Sequence, residues 1–316
     1  MSVKGRSLLV LAVLFLAGLF AFTRFVENRY IFFAAYVVLQ YIVLATAWNI
    51  LGGYTGYVNF GTGAFFALGV YSSVFLIQMF RAPLLVQIAT GGVVAGLLGL
   101  GLGYLTLRLR GTFFSIATLA LAVVLQTFVI NWEYVGGAKG TTVLRPAHAP
   151  FFNNYIEFLF MVMGCLAVGS VAIAWFIEHS RIGRGFAAIR DNEEAAECTG
   201  VPTLKLKLLA TTISGCLMGV AGTPFPYYLS FVDPDSAFNL SYALNSLAMP
   251  VVGGTTTWLG PVVGAVLLGT AQQLATVTIS SELNILIVGV VLVLFVVLAP
   301  KGIVGLVQQF VQRRRA

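Results

Sequence analysis

Charge is what this sequence has least of. Of its 316 residues, 9% are charged and 59% hydrophobic, and the mean hydropathy is +0.94. A soluble domain carries roughly 25% charged residues. No soluble fold of this length buries so much apolar surface, whereas a bilayer does. The three cysteines, Cys165, Cys198 and Cys216, show neither metal-ligand spacing nor a disulfide framework, which leaves them as small apolar packing residues. The two histidines, His148 and His179, are isolated, one in a loop and one at the end of an apolar run, and read as structural. No G-x-x-x-x-G-K-S/T phosphate cradle occurs; the run Gly-Gly-Ala-Lys-Gly-Thr at 136–141 lacks its spacing. Also missing are a nucleophile elbow, a metal cluster and a carboxylate pair within the apolar runs. The sequence therefore reads as no enzyme, with no cofactor bound by this chain. Of the eleven acids, only Glu157 and Glu178 touch an apolar run, each near its end. Proton-coupled transporters place an ionisable group at mid-membrane, so this lack argues against an ion-coupled secondary transporter or channel. The net charge of +7 does not indicate nucleic acid, because the basic residues sit at the ends of apolar runs rather than along one face.

What is present is a succession of apolar runs: 7–22, 30–51, 64–80, 84–107, 111–131, 155–177, 206–229, 258–277 and 283–298. A shorter one, 238–252, is interrupted by Asn245 and Pro250. The chain thus reads as an all-α polytopic membrane protein with about ten transmembrane helices, or eight if one or two segments are re-entrant. Lys4 and Arg6 precede the first run as in a signal peptide. Phe20, Phe22, Arg24 and Phe25 follow it, with no small-x-small site, so it reads as a retained span. With the N-terminus inside, Arg24, Arg29, Arg81, Lys139 and Arg145 fall outside, and the other thirteen of the 18 lysines and arginines fall inside. Both termini and the segment 181–207 are then cytoplasmic, and the loop 132–154 lies outside. The whole chain, 1–316, reads as a single transmembrane domain.

One polar island, 181–202, separates two apolar runs. Asp191 reads as an N-cap and Glu194, three residues on, as its capping-box partner. Gly200 suits a left-handed helix stop, and Pro202 bars continuation. The result is a helix of about two turns, too short to cross a bilayer. Ala195, Ala196, Thr199 and Gly200 form a small-residue face able to lie against another backbone; Glu193, Glu194 and Glu197 form an acidic one. The plain alternative is a solvated connector.

The stretch 48–63 concentrates glycine and uncharged polarity. Five glycines fall within 52–63, each costing up to about 1 kcal/mol in a helix, so one regular helix is excluded. Non-helical backbone at membrane depth lines a cavity or is buried in protein, and broken segments of this kind mark substrate regions in transporters. Asn49, Gly53, Thr55, Gly56, Asn59, Gly61 and Gly63 are therefore candidates for the path of a neutral or zwitterionic solute. Gln126 and Asn245 join them among the buried amides, with Gln40, Gln87 and Gln272. A tight cytoplasmic turn is the alternative. A second broken stretch, 250–261, also carries Gly-Gly followed by threonines. The small-residue run 91–103 reads as close helix packing.

These residues resemble a family. Glu194-Ala195-Ala196-Glu-Cys-Thr-Gly200 is similar to E-A-A-x-x-x-G, the cytoplasmic loop of bacterial ATP-binding-cassette import permeases. The run from Gly53 through Gly56, Gly61 and Gly63 to Gly69 resembles the signature near the third span of branched-chain amino acid permeases. So do Arg181-Ile-Gly-Arg184 with Ala188-Ile-Arg190-Asp191, Gly111-Thr-Phe-Phe-Ser, and Val252-Gly-Gly254 with Gly260-Pro261. The likeness covers about 30–305 and is nearest the LivM branch. The I-x-L-P that follows the loop in the wider permease pattern is absent, and Tyr57 and Asn59 stand where the signatures describe glutamine or serine. The resemblance implies a type II-like importer permease in the bacterial inner membrane. Separate cytoplasmic ATPase subunits would hydrolyse ATP and dock on Arg190, Asp191, Glu193, Glu194, Ala195, Ala196 and Gly200. It also implies a second permease subunit, LivH-like or a second copy, and an extracytoplasmic solute-binding protein. Urea and short-amide permeases share the scaffold.

Overall fold

The computed structural model describes residues 3–26, 28–106, 111–146, 152, 154–278, 289–290 and 302–306. Its axis is helix α2 (Arg29–Thr55), which follows α1 (Val3–Phe25) and is capped by the Asn28 side chain. Every residue of α2 from Leu39 to Thr55 is buried. A helix apolar on all sides has no face to give to water and belongs in the centre. Around it pack α6 (Tyr155–Glu178), α9 (Thr203–Gly222), α12 (Leu240–Gly253) and α13 (Leu259–Thr278). Outside these lie α3 (Thr62–Phe80), α4 (Leu84–Thr106) and α5 (Thr112–Ile130). Between α6 and α9 run α7 (Arg181–Asp191) and α8 (Glu193–Cys198). Between α9 and α12 come α10 (Phe225–Leu229), the two-residue strand β2 (Phe231–Val232) and α11 (Pro234–Ala237). Strand β1 (Thr141–Thr142), in the loop after α5, pairs antiparallel with β2, Thr141 opposite Val232. That pairing puts residues 132–146 and the connection after α10 at one end of the molecule.

Among the described residues, seven helices are long and apolar enough to cross a membrane: α2, α3, α4, α5, α6, α9 continued through α10, and α13. The protein is a multi-pass membrane protein. The shorter run 238–252 corresponds to α12, which at 14 residues covers about 21 Å and does not cross a ~30 Å hydrocarbon core unaided. The expected last crossing, 283–298, lies almost wholly outside the described residues.

On α4, Gly91, Gly92, Gly96 and Gly99 pack closely against α9 as expected, whereas Gly101 has nothing within 4 Å of its Cβ position. A Cβ on Gly69 of α3 would lie 1.9 Å from the Gly219 carbonyl oxygen, and one on Gly219 2.6 Å from that of Gly91. Three backbones thus meet where only hydrogen fits, and dispersion contacts replace the hydrophobic drive that lipid cannot supply. Helices α12 and α13 touch in the same way at Gly253, Gly260 and Gly264. Two expectations about cysteine fail. Cys165 and Cys198 are exposed on this chain; only Cys216 packs, against Gly92. His179 is structural, its ring stacked on Trp175 with centroids 4.7 Å apart.

Candidate functional site

The polar island folds as two helices, not one. Ser180 starts α7 by accepting from the backbone of Ile182 and Gly183 at 3.1 and 3.3 Å. Phe186 and Ile189 anchor it. The chain then breaks at Asn192 (φ −164°, ψ 108°), whose side chain accepts from Ala195 N at 3.1 Å. The N-cap of α8 is therefore Asn192. Asp191 instead closes α7, paired with Arg190 at 3.2 Å. With Asn192 at the cap, the third helical residue is Ala195, so Glu194 completes no capping box. Asn and Asp cap almost equally well, and the anchored α7 carries the helix one residue further. The far end is as expected. Val201 N bonds Ala196 O at 3.0 Å and Gly200 N bonds Glu197 O at 2.9 Å, with Gly200 at φ +84°. These are the paired bonds of a Schellman stop.

The two faces of α8 also differ from the sequence reading. Ala196 is 4% exposed, turned into its own chain. Glu194, Ala195, Glu197, Cys198, Thr199 and Gly200 form the outward surface. Glu193 leaves the acidic face altogether. Its carboxylate meets Lys207 of α9 at 2.6 Å, with the two side chains 15% and 4% exposed. The Tyr57 hydroxyl donates to the same carboxylate and accepts from Lys207 at 3.2 Å. The Lys207 ammonium also lies 4.9 Å from the Tyr57 ring centroid. Glu197 accepts from Thr203 at 2.6 Å. The first residue of α8 is thus joined to α9 and to the loop that follows α2.

That loop is the glycine-rich stretch, and it is shorter than expected. Helix α2 continues through Gly52 and Gly53 because both make room for neighbours on the helix. A Cβ on Gly52 would meet the Trp48 ring at 2.5 Å. One on Gly53 would meet Asn49 Oδ1 at 1.9 Å and Thr255 O at 2.6 Å. The break begins at Gly56 (φ +80°), beside Arg190. From there 56–60 climbs back along α2. Tyr57 sits at the island, while the Asn59 carbonyl accepts from Trp48 Nε1 at 2.8 Å. Trp48 is seven residues before the end of α2, about 10 Å up. Helix α5 holds the loop through Ser115 Oγ to Val58 O at 2.8 Å and Phe60 N to Thr118 Oγ1 at 3.1 Å. Asn59 Oδ1 accepts from Gly61 N at 2.7 Å, a local turn bond. Thr55 Oγ1 donates to Leu51 O.

A second irregular segment enters from the opposite end. Phe238 stacks on Tyr71 in the middle of α3, and Asp235 accepts from Gln126 of α5 at 2.9 Å. The two irregular segments meet in the interior: a Cβ on Gly63 would lie 3.2 Å from Asn239 O and 3.3 Å from Phe238 O. Beside this meeting point, Asn245 donates to Tyr41 at 3.0 Å and accepts from Gln272 at 2.9 Å. A cavity of about 340 Å³ opens between α2, α10 and the start of α12, lined among others by Gln40, Tyr41, Tyr228, Asn239, Ser241 and Tyr242. Buried hydroxyls of Tyr36, Thr62 and Tyr71 lack a hydrogen-bond partner, and Asn49 lies beside Gly53, toward the island end of α2. The structure thus brings Asn59, Gly61, Gly63 and Asn245 toward one interior region and leaves Gly53 and Gly56 at the island end. Sequence reasoning missed the tyrosines. In an apolar run a tyrosine reads as packing, and only the three-dimensional convergence of Tyr36, Tyr41, Tyr228 and Tyr242 distinguishes them. Among the described residues no His, Cys, Asp and Glu group could hold a metal ion.

A bundle of apolar helices with a capped helix seated at one end is the architecture of a multi-pass membrane protein. Residues 30–296 match the family described as the branched-chain amino acid transport system permease component, and the chain belongs to that family. It is 28% identical over 294 residues to the high-affinity branched-chain amino acid transport permease LivM of Salmonella typhimurium, covering 85% of this chain and 68% of the relative. It is 24% identical over 285 residues to LivH of Escherichia coli, covering 84% of this chain and 91% of the relative. The autoinducer 2 import permease LsrC of Yersinia pseudotuberculosis is 26% identical over 182 residues, covering 56% of this chain and 50% of the relative. No solved structure matches. The protein is a permease subunit of an ATP-binding-cassette importer.

Proposed function

We propose that this subunit carries branched-chain amino acids inward across a bacterial inner membrane. It crosses about ten times, or eight where short segments such as α12 are re-entrant, with both termini in the cytoplasm. A LivH-like second permease completes the pore. An extracytoplasmic binding protein supplies solute, and two cytoplasmic ATPases dock on α8 and use ATP, of which this chain binds none. The observation that carries the reading is α8 itself. It is a six-residue helix closed at both ends by specific caps, with Ala195, Cys198, Thr199 and two glutamates outward and its first residue joined to α9 and the loop after α2. A solvated connector needs none of these. The solute path runs through the uncharged interior where the two irregular segments meet, past Asn59, Gly63 and Asn245. Its lack of charge favours a neutral or zwitterionic solute over an ion.

The test uses the assembled transporter. Gly200→Val forces a β-branched residue to φ +84°, and Ala195→Trp places a bulky ring on the outward face of α8. Each is expected to leave the protein in the membrane while lowering solute-stimulated ATP hydrolysis and ATPase retention at least fivefold. Gly200→Asn, which tolerates the left-handed region, should stay near wild type. Full retention with wild-type stimulation in both disruptive variants would reduce the island to a connector. Uptake of urea or a short amide in place of leucine would move the solute assignment and leave the docking role standing.

A further inference from the structure

The arm formed by α7 and α8 is fastened to the bundle at two carboxylates. At one, Glu193 joins α8 to α9 and to the loop after α2 through Lys207 and Tyr57. At the other stands Glu178, the last residue of α6. Its Oε2 accepts from the Trp258 backbone N–H at 2.6 Å and from the Tyr54 hydroxyl at 3.4 Å. Trp258 immediately precedes α13, and Tyr54 is the penultimate residue of α2. One carboxylate oxygen thus ties the ends of three helices. Helix α7 leans on the same turn: a Cβ on Gly183 would lie 2.2 Å from Ile177 O and 3.1 Å from Glu178 Cα.

The chemistry suits a tether rather than a solvated acid. The first N–H groups of a helix have no partner within it, and that end carries the equivalent of about +0.5 charge. A carboxylate there makes a charge-assisted hydrogen bond, roughly twice as strong as a neutral one. At the start of α13, Thr257 Oγ1 takes the Gly260 N–H at 3.3 Å, and Glu178, from another helix, takes that of Trp258. Beyond this point α12 and α13 meet backbone to backbone at Gly253, Gly260 and Gly264, so a shift at Trp258 carries both. About 20 Å along α13 from Leu259, Gln272 donates to Asn245, which donates to Tyr41. Glu178 also borders a cavity of about 210 Å³, lined by Tyr54, Arg184, Arg190 and Thr256 among others. That space leaves α7 room to move relative to α2 and to the segment before α13.

We infer that Glu178 is a positioning residue that makes the start of α13 follow the arm α7–α8. It thereby carries movement of the docked arm to the uncharged interior at Gln272 and Asn245. The inference rests on the reading of α8 as the ATPase-docking helix and gives that reading a route through named atoms. The two carboxylates divide the work. Glu193 fixes the docking helix in place, and Glu178 transmits its displacement. Without Glu178 the ATPases dock and hydrolyse while α12 and α13 stay behind.

The experiment uses the whole transporter, reconstituted with its second permease, ATPases and binding protein, and reads leucine uptake and ATP hydrolysis on the same vesicles. Leucine uptake with solute-stimulated hydrolysis in the unaltered complex tests the importer reading on its own. Glu178→Ala is expected to keep its ATPases and to hydrolyse ATP within twofold of the unaltered complex, while leucine taken up per ATP falls at least fivefold. Glu178→Gln keeps an oxygen acceptor for the Trp258 N–H and should hold that ratio within twofold of the unaltered complex. Tyr54→Phe removes only the longer bond and should leave the ratio unchanged. Should Glu178→Ala fail to assemble, Glu178→Asp decides: it keeps the charge but is one methylene too short for the Trp258 contact, and should lower the ratio at least threefold. An unaltered ratio in Glu178→Ala or Glu178→Asp, or uptake and hydrolysis that fall together, overturns the role of Glu178 and leaves the importer reading standing. A glutamine variant as impaired as the alanine variant also overturns it. An unaltered complex that imports no leucine removes both.

Discussion

The ion pair between Glu193 and Lys207 gives the sharpest quantitative prediction. At 2.6 Å and an effective dielectric of about 20, the gross attraction is about 6 kcal/mol. Desolvation of two charges offsets most of it, at several kcal/mol per ion. The net worth of the pair is therefore small, while the asymmetric loss of one partner is large. Lys207→Met keeps the volume of the stem and removes the ammonium from a carboxylate that is 15% exposed. The general cost of such a deletion is about 3–5 kcal/mol, and the residual exposure of Glu193 places this case near 3. The double variant Glu193→Gln with Lys207→Met removes both charges and retains an oxygen for the Tyr57 hydroxyl. It is expected within about 1 kcal/mol of wild type, a coupling of about 2 kcal/mol or more in a double-mutant cycle. At about 2 °C per kcal/mol for a chain of this size, the single variant loses roughly 6 °C in thermal unfolding in detergent and the double about 2 °C. High salt rescues neither, since the pair is shielded from solvent. A Lys207→Met protein as stable as wild type, or losses in the double variant that merely add, would refute the claim that this junction is dry and coupled.

Two further outcomes follow from the fold. With Cys165, Cys198 and Cys216 replaced by serine, Lys139→Cys is expected to react with a membrane-impermeant maleimide only from outside, and Arg184→Cys only from inside; the reverse pattern would invert the orientation. Gly219→Leu, whose Cβ would meet Ala95 Cβ at 2.4 Å and Gly91 O at 2.6 Å, should abolish accumulation of folded protein through overpacking. Gly101→Ala, with nothing within 4 Å of its Cβ, should leave the level unchanged when measured by gel filtration of the detergent extract.

How much of this was legible in the sequence depended on the range of the interaction. The apolar runs, the left-handed stop at Gly200 and the glycine seam on α4 are local or compositional. A bilayer imposes them residue by residue, so they read directly. The start of α8 was misplaced by one residue because Asp191 and Asn192 have nearly the same capping chemistry. The deciding fact was that Phe186 and Ile189 bury α7 and carry it on to Asp191. The acidic face of α8 was misread for a different reason. Glu193 and Glu194 are adjacent and chemically alike, and only the placement of Lys207, fourteen residues on, turns one inward. The interior region was the least legible. Gly63 and Asn239 meet across the fold with no shared motif, and each alone resembles a loop residue. Their roles emerge only when a central helix buried on all sides forces both irregular segments inward. There, backbone groups that hydrocarbon could not satisfy find partners in Trp48, Ser115 and Thr118. The same physics that makes broken backbone costly in lipid therefore explains where this protein keeps its uncharged polarity: against α2, which is buried throughout from Leu39 to Thr55.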